Sequence, residues 1–328
     1  MVKPIHRQKM NKRHSSEPIR KRQGIFYHLP PSREGFGEFY MHMLPEDVSL
    51  GIMPIGGRSS RPDFKVTLCP ADKAVKEIIT AGINRRDYGY GSSLADALYE
   101  FFRLLAADLC VAEKAVFEIV YLEEPQTEKV IGFELAFISE NQIVEKQGQI
   151  YQAVPPELAR ERDIPQLIPL AKEKLMVFKA PAVFENPLRD VRQNLRQLDK
   201  KRFPMMMLEA TKKNAPYDFK THERSMKLAL VEAVKPIGWN ARGTFNDCVL
   251  SYYWINLSLT FEKFKILLRE AMLATLNDGL VRIGEQIGFK AQIKIDGLPT
   301  LADVETASHD LKAGAKPFTD VMKTFELR

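Results

Sequence analysis

Cysteine is scarce in this chain. The three cysteines, Cys69, Cys110 and Cys248, are odd in number and lie far apart. A disulfide framework needs cysteines in pairs, and a CxxC metal site needs two of them close together. The sequence therefore argues against both, and we expect buried thiols instead.

Long apolar runs are also missing. A typical one, VFEIVYL at 116–122, is far shorter than the roughly 20 residues that cross a bilayer. The first 24 residues carry positive charge but lack the apolar segment of a secretory signal. We therefore expect no membrane partner and a chain that is made and folded in the cytoplasm.

Motifs for catalysis and cofactor binding are sparse as well. The histidines are scattered without HExxH spacing, and no GxxxxGK[ST] or GxGxxG motif follows a strand. Glu118 and Glu134 have positions from which they could face each other across a hairpin. Neither is followed two residues later by the lysine of a Glu-x-Lys nuclease, and paired acids are more common on solvated sheet faces. The sequence thus predicts no catalytic residue, no metal and no cofactor.

Positive charge is concentrated at the start of the chain. Residues 1–23, the basic tail, hold eight lysines and arginines against one acid, Glu17, whereas the whole chain has a net charge of +6. Such a tail is either a solvated, flexible terminus or a phosphate-binding segment, because clustered cations release counterions from nucleic acid. The sequence leaves both interpretations open.

Residues 24–69 are rich in glycine, proline and aromatic residues. Repeated proline and glycine disfavour a long helix or a central strand, so we predict an extended arm that lies against a neighbouring molecule. The arm must bury several aromatic side chains, which are Phe26, Tyr27, Phe36, Phe39 and Tyr40.

Beyond the arm, helical and strand patterns alternate. A helix is predicted from Pro70 to Ile83 with Pro70 in its first turn, and a longer helix begins after Ser92 or Ser93 as its N-cap. Alternation with a period of two then predicts a small antiparallel sheet packed on a helix. Its strands are expected at 115–122, 129–138, 141–154 (a hairpin) and 173–181.

The segment 186–202 is predicted as a helix with Asn186 as its N-cap and Pro187 at its first position. Apolar residues form one narrow stripe along it and basic residues form another. A charged run is usually the solvated side of a helix, and this one is our candidate contact for DNA or for a neighbouring subunit. We call it the basic ridge, and it consists of Arg189, Arg192, Arg196 and Lys200, followed by Lys201 and Arg202.

Strands and helices are also predicted in the remainder of the chain. In order, they are a strand at 203–210, a helix at 220–234, a strand at 248–257, the longest helix at 261–289 with Thr260 as its cap, a strand at 290–300, and two short helices that separate near Gly314 and Pro317.

The order of these elements resembles the portal proteins of tailed bacteriophages. Residues 94–154 and 168–181 resemble the wing region of that family, with an amphipathic helix, a break and a series of strands. Residues 186–210 resemble the stem helix that runs into the first clip strand, 222–234 the clip helix, and 249–255 the returning strand.

The resemblance implies an α+β, portal-like fold with a wing domain of helices and a small antiparallel sheet, a long stem helix and a small α/β clip. The implied division is a basic flexible tail at 1–23, the arm at 24–69, a wing-like region at 70–183, a stem and clip-like region at 184–260, and a helical return with a C-terminal wing-like region at 261–328.

The resemblance also implies a function without an enzymatic activity. A portal is a ring, usually of twelve subunits, at one capsid vertex of the virion, and it is assembled in the host cytoplasm. The implied partners are copies of the chain, double-stranded DNA in the channel, the capsid protein, the terminase that packages DNA, and head-to-tail connector proteins. Two alternatives stay open: a nucleic-acid-binding or metal-dependent nucleic-acid-processing protein, and a scaffold protein whose arm only mediates assembly.

Overall fold

The computed structural model describes residues 36–53, 65–84, 93–124, 129–210, 219–248 and 250–325. Within these ranges, only the main chain is described at residues 36, 199–210, 219, 221, 222, 248 and 322–324. The described chain has a mixed α+β architecture of small antiparallel sheets and long helices. In these ranges, no helix has both the length and the apolar character needed to cross a membrane.

Helices and strands alternate along the described residues. In chain order they are α1 (Phe36–Gly51), β1 (Lys65–Cys69), α2 (Lys73–Ile83), α3 (Leu94–Val111), β2 (Lys114–Glu123), β3 (Val130–Ile138), β4 (Ile143–Lys146), β5 (Gln149–Ala153), α4 (Pro156–Arg162), β6 (Leu167–Leu170), β7 (Leu175–Lys179), α5 (Ala182–Ala210), α6 (Phe219–Val234), α7 (Ser251–Ile287), β8 (Gln292–Asp296), α8 (Leu301–Ala313) and α9 (Phe318–Thr324).

The strands of the described chain form three antiparallel sheets, with orders β3-β2-β7, β4-β5-β6 and β1-β8. Because successive side chains of a strand point to opposite faces, β2 separates two apolar clusters. Phe117 and Ile119 face the main core, whereas Val116 belongs to a smaller cluster that includes Leu170 and Ile150 of the second sheet. The sheet β3-β2-β7 is therefore covered on both faces.

The helix α3 packs on the main-core face of this sheet. Ser93 caps the helix, since its side chain accepts a hydrogen bond from the Asp96 main-chain N–H. The Phe101 ring lies 5.3 Å from the Phe117 ring and 5.8 Å from the Phe178 ring, so α3, β2 and β7 share one aromatic cluster. The predicted cap, helix and strands of this region are thereby confirmed, but the strands form two sheets rather than one, and β6 was not predicted.

The long helix α7 crosses the same sheet next to β7. Gly279 allows this approach, because a Cβ atom there would meet the Met176 side chain. The Arg282 guanidinium donates hydrogen bonds to the main-chain oxygens of Glu173 (2.8 Å) and Leu175 (3.1 Å). The end of α7 is thus fixed to the strand that leads into α5.

The prediction of an extended arm was wrong for residues 36–51, which form α1. Tyr40, Leu44 and Val48 recur every four residues and are buried in the main core of their own chain. Their burial outweighs the helix-breaking effect of Pro45, which costs about 3 kcal/mol in a helix interior.

Further contacts hold α1 within its own chain. At Gly37, a side chain would collide with the Leu195 carbonyl of α5. Asp47 accepts hydrogen bonds from the indole of Trp239 (2.9 Å) and the guanidinium of Arg242 (2.6 Å). The last part of the predicted arm is β1, which pairs with β8. The stretches 24–35 and 54–64 lie outside the described residues.

The predicted burial of the arm's aromatic side chains holds for Tyr40 but not for Phe39. Tyr40 is buried, whereas Phe39 is 46% exposed. Phe26 and Tyr27 lie outside the described residues, and only the main chain of Phe36 is described.

The predicted start of the ridge helix was also wrong. The helix α5 begins at Ala182, so Asn186 is not its N-cap and Pro187 lies inside it. The helix then continues through 203–210, where a strand was predicted. Methionine, leucine, glutamate and alanine dominate that stretch and favour a helix, so the apolar run was misread.

The predicted strand at 248–257 is likewise helical from Ser251 onward, and Thr260 lies inside α7 rather than at its cap. The segment is apolar all round because it is buried on two sides: Leu257 faces the main core, whereas Trp254 and Ile255 pack against α8 and α9. A helix buried in this way has no polar face to reveal its period.

Other predictions after the ridge are confirmed. The helix α6, the part of α7 from Phe261 onward, the strand β8, and the pair α8 and α9 lie where expected. The helix α2, however, begins at Lys73 with Asp72 as its N-cap, and Pro70 precedes it. The Asp72 carboxylate accepts from the Val75 N–H and so starts the helix three residues later than predicted.

Candidate assembly and nucleic-acid interface

The exposed face of α5 is defined by the apolar stripe on its other side. Leu188, Val191, Leu195 and Leu198 are buried, as the sequence predicted. On another side, Glu185, Arg189, Gln193 and Arg196 recur at three and four residue steps and are exposed. This arrangement decides which parts of the basic ridge reach the surface.

Two ridge arginines of the described chain lie on that exposed face. Arg189 and Arg196 are seven residues apart and are both exposed. Arg189 donates a hydrogen bond of 2.7 Å to the side-chain oxygen of Asn186. The main chain of α5 carries Lys200, Lys201 and Arg202 further along, and their side chains lie outside the described residues.

The side chain of Arg192 points into the interior of its own chain instead. Its side chain is only 7% exposed, and its guanidinium donates to the main-chain oxygens of Ala112 (2.6 Å) and Leu109 (3.4 Å). These carbonyls lie at the C-terminal end of α3, where a positive charge is favourable. Burial lowers the pKa of Arg192 from its ordinary value, and the nearby Glu113 opposes this shift.

The sequence contained a signal for this difference. Arg192 follows Leu188 by four residues and precedes Leu195 by three, so it shares a side of α5 with two core residues. The spacing of the basic residues by itself did not predict the burial of Arg192, because three and four residue steps also link Arg192 to Arg189 and Arg196.

A second exposed helix face was not predicted. Along the C-terminal half of α7, exposed residues recur at steps of three and four: Glu270, Ala274, Asp278, Val281 and Glu285. We call this set the α7 stripe. It contains three acids and no base. Within the described part of the chain, none of the three carboxylates forms an ion pair.

Glu118 and Glu134 share a sheet face but do not face each other. Glu118 pairs with Ala136 and Glu134 pairs with Val120, so the two glutamates are offset by two residues along the strands. One carboxylate oxygen of Glu118, Oε2, is buried and has no hydrogen-bond partner among the described residues. Burial raises the pKa of Glu118 to about 7, and the charge of Lys174 acts against this rise.

The cysteines agree in part with the prediction of buried thiols. Cys110 is buried, and burial raises its pKa to about 12, against the opposing effect of Arg192. It is therefore a neutral thiol with little reactivity at physiological pH. Cys69 is half-buried, and the side chain of Cys248 lies outside the described residues.

In the part of the chain that the structure describes, no group of three or more His, Cys, Asp or Glu side chains is placed so that it could hold a metal ion. The α5 face and the α7 stripe are therefore the surfaces that we consider for function. No model of a known protein family matches the chain, and no curated protein matches it significantly.

Proposed function

We propose that this chain is a portal-like structural protein that forms a ring and conducts DNA through its centre. Copies of the chain would surround a channel at a capsid vertex, with capsid protein, terminase and head-to-tail connectors as partners. In this proposal the region 70–183 acts as the wing, α5 as the stem, and residues 211–250 as the core of the clip.

The course of the two longest helices carries the proposal. The chain leaves the sheet β3-β2-β7 through α5, which has 29 residues, and returns to it through α7, which has 37. At about 1.5 Å per residue these helices are roughly 44 and 55 Å long. An outgoing and a returning rod on one sheet domain match the wing, stem and return order of the portal resemblance.

The clip-like part takes a more helical form than the resemblance implied. Of the two expected strands, 203–210 is helical throughout, and 248–257 is helical from Ser251 onward. Between the two rods lie α6 and a series of short 3-10 turns at 235–248. We therefore propose a compact, largely helical tip between stem and return in place of an α/β clip.

Native mass spectrometry of the purified full-length protein, with negative-stain imaging, tests the proposed ring. We expect one closed assembly of many subunits with a central hole. A protein that stays monomeric across the micromolar range contradicts the proposal. Divalent-dependent cleavage of DNA by such a monomer would favour the nucleic-acid-processing alternative instead.

One observation favours nucleic-acid contact in either case. Eight of the 48 lysines and arginines lie in the first 22 residues, where only Glu17 opposes them. A segment of this charge binds phosphates in a salt-dependent manner. We propose that it contacts DNA near the channel.

A further inference from the structure

The α7 stripe has the geometry of a docking surface. Its three carboxylates, Glu270, Asp278 and Glu285, are separated by eight and seven residues, or about 12 and 10 Å along the helix. Ala274 and Val281 lie between them and are also exposed, with Val281 at 48%. Short apolar residues between charges let another helix approach closely.

The exposed face of α5 has a complementary pattern. Arg189 and Arg196 are separated by seven residues, about 10 Å, which matches the spacing of Asp278 and Glu285 on α7. Gln193 lies between them. One acid, Glu185, precedes Arg189 by four residues on the same side of the helix, whereas Asp190 directly follows Arg189 and lies on a neighbouring side. The two arginines therefore form a short cationic row that follows one acid.

The two faces do not meet within one chain. The helices α5 and α7 contact each other through other residues, with the rings of Phe184 and Phe264 5.1 Å apart. Within the described residues, no ion pair joins the carboxylates of the α7 stripe to Arg189 or Arg196. Both faces are thus open to another molecule.

We propose that the α7 stripe of one copy docks on the exposed α5 face of the next copy. This inference rests on the proposed ring, because a closed ring needs two different, complementary surfaces on every subunit. Opposite charges at matching spacing fix the register of the two helices and disfavour other pairings. The second copy is therefore the occupant that these charges select.

Charge reversal tests the contact. The variant Glu270→Lys, Asp278→Lys and Glu285→Lys places like charges against the arginines, and we expect self-association to weaken on the order of a hundredfold. The variant Arg189→Glu and Arg196→Glu should weaken it similarly. Native mass spectrometry measures the assemblies, and circular dichroism verifies that each variant is folded. Versions with Gln or Asn at the acidic positions replace any reversal that does not fold.

The combined variant with all five reversals provides the sharpest result. If the two faces meet, opposite charges are again paired, and the ring should return to near wild-type affinity. A matched control reverses three exposed acids elsewhere, Glu145, Glu157 and Glu161, with the same change in net charge. We expect this control to assemble like the wild type.

The outcomes separate the interface from the ring. A wild type that forms rings, with reversals that change nothing, overturns the interface and leaves the proposed function standing. Reversals that abolish the ring without rescue in the combined variant also overturn this pairing. A wild type that never assembles overturns both proposals.

Discussion

Arg192 has a different role from that of the neighbouring arginines on α5. It connects two helices, because its guanidinium donates to carbonyl oxygens at the end of α3 while its main chain belongs to α5. Hydrogen bonds from a charged donor contribute about 1.5–3 kcal/mol each when buried carbonyls would otherwise lack a partner. The residue therefore stabilises the fold rather than a surface contact.

Replacing Arg192 with methionine should reveal this role. The variant keeps an unbranched side chain but removes both hydrogen bonds and the charge, so we expect a loss of about 2–4 kcal/mol in the free energy of unfolding. Urea denaturation followed by circular dichroism measures it. Arg160→Met on α4 is the control, since Arg160 is exposed and the substitution should change stability by less than about 0.5 kcal/mol. Equal effects of the two variants would contradict the assignment.

Glu118 should make stability depend on pH. Its pKa in the folded chain is about 7, against an ordinary value of 4.5. Between these values the folded state binds more protons than the unfolded state, so stability falls as pH rises from 4.5 to 7. At pH 8 the variant Glu118→Gln should have a free energy of unfolding about 1–2 kcal/mol above that of the wild type, because it does not bury a charged carboxylate. Solvent screens part of the carboxylate's penalty, which keeps the expected gain this small.

Denaturation at several pH values tests this assignment. At pH 4 the advantage of Glu118→Gln should disappear, since the wild-type carboxyl is then protonated in both states. The variant Glu134→Gln removes a carboxylate from the same sheet face and retains Glu118, so it should keep the wild-type fall in stability across the window. A constant difference between Glu118→Gln and wild type at every pH would exclude Glu118 as the cause.

Among the elements, those with a clear apolar period were predicted correctly, whether they are strands or helices. The strands β2, β3 and β7 carry a period-two pattern in which one face holds aromatic core residues such as Phe117 and Phe178. The helix α1 was missed because Pro45 obscured the four-residue repeat of Tyr40, Leu44 and Val48. The first part of α7 was missed because it is apolar on two sides. Local patterns thus predict elements whose side chains show a clear period, whereas segments without one depend on tertiary contacts.

The same limit applies to the candidate interface. Sequence spacing predicted an exposed cationic row on α5, and Arg189 and Arg196 are exposed. It did not distinguish Arg192, whose position depends on the distant end of α3. The α7 stripe was overlooked because its acids are spread over 16 residues, and the packing of α7 on the rest of the fold determines which side stays exposed.

Two leucines of α1, one buried and one exposed, allow a test of whether α1 is part of the core. Leu44 is buried and Leu50 is 56% exposed, although both are leucines on α1. We expect Leu44→Ala to lower the free energy of unfolding by about 2–5 kcal/mol, because it leaves a cavity, and Leu50→Ala to have little effect. Thermal and urea unfolding measure both. Similar small losses would show that α1 is only loosely attached, as an arm would be.

For the whole molecule, the distribution of charge matters more than its sum. The basic tail has eight cations and one acid, or +7, whereas the whole chain has a net charge of +6, so the remaining chain is close to neutral at −1. A nearly neutral body suits a channel through which DNA slides, because fixed phosphate contacts would retain it. The tail would then be the part that holds nucleic acid, and the body would be the part that assembles.

Deleting residues 1–22 separates these two roles. We expect the truncated chain to form the same ring, since the described core and both proposed contact faces lie beyond the deletion. Its affinity for double-stranded DNA should fall strongly at low salt. For the full chain, the slope of log affinity against log salt concentration should be negative and no steeper than about −7 per subunit, because eight cations are available.

The full-length variant Arg189→Gln and Arg196→Gln should retain this DNA binding, because its tail is intact. Unchanged DNA affinity after the truncation would make the tail a solvated terminus, and loss of the ring would assign it to assembly.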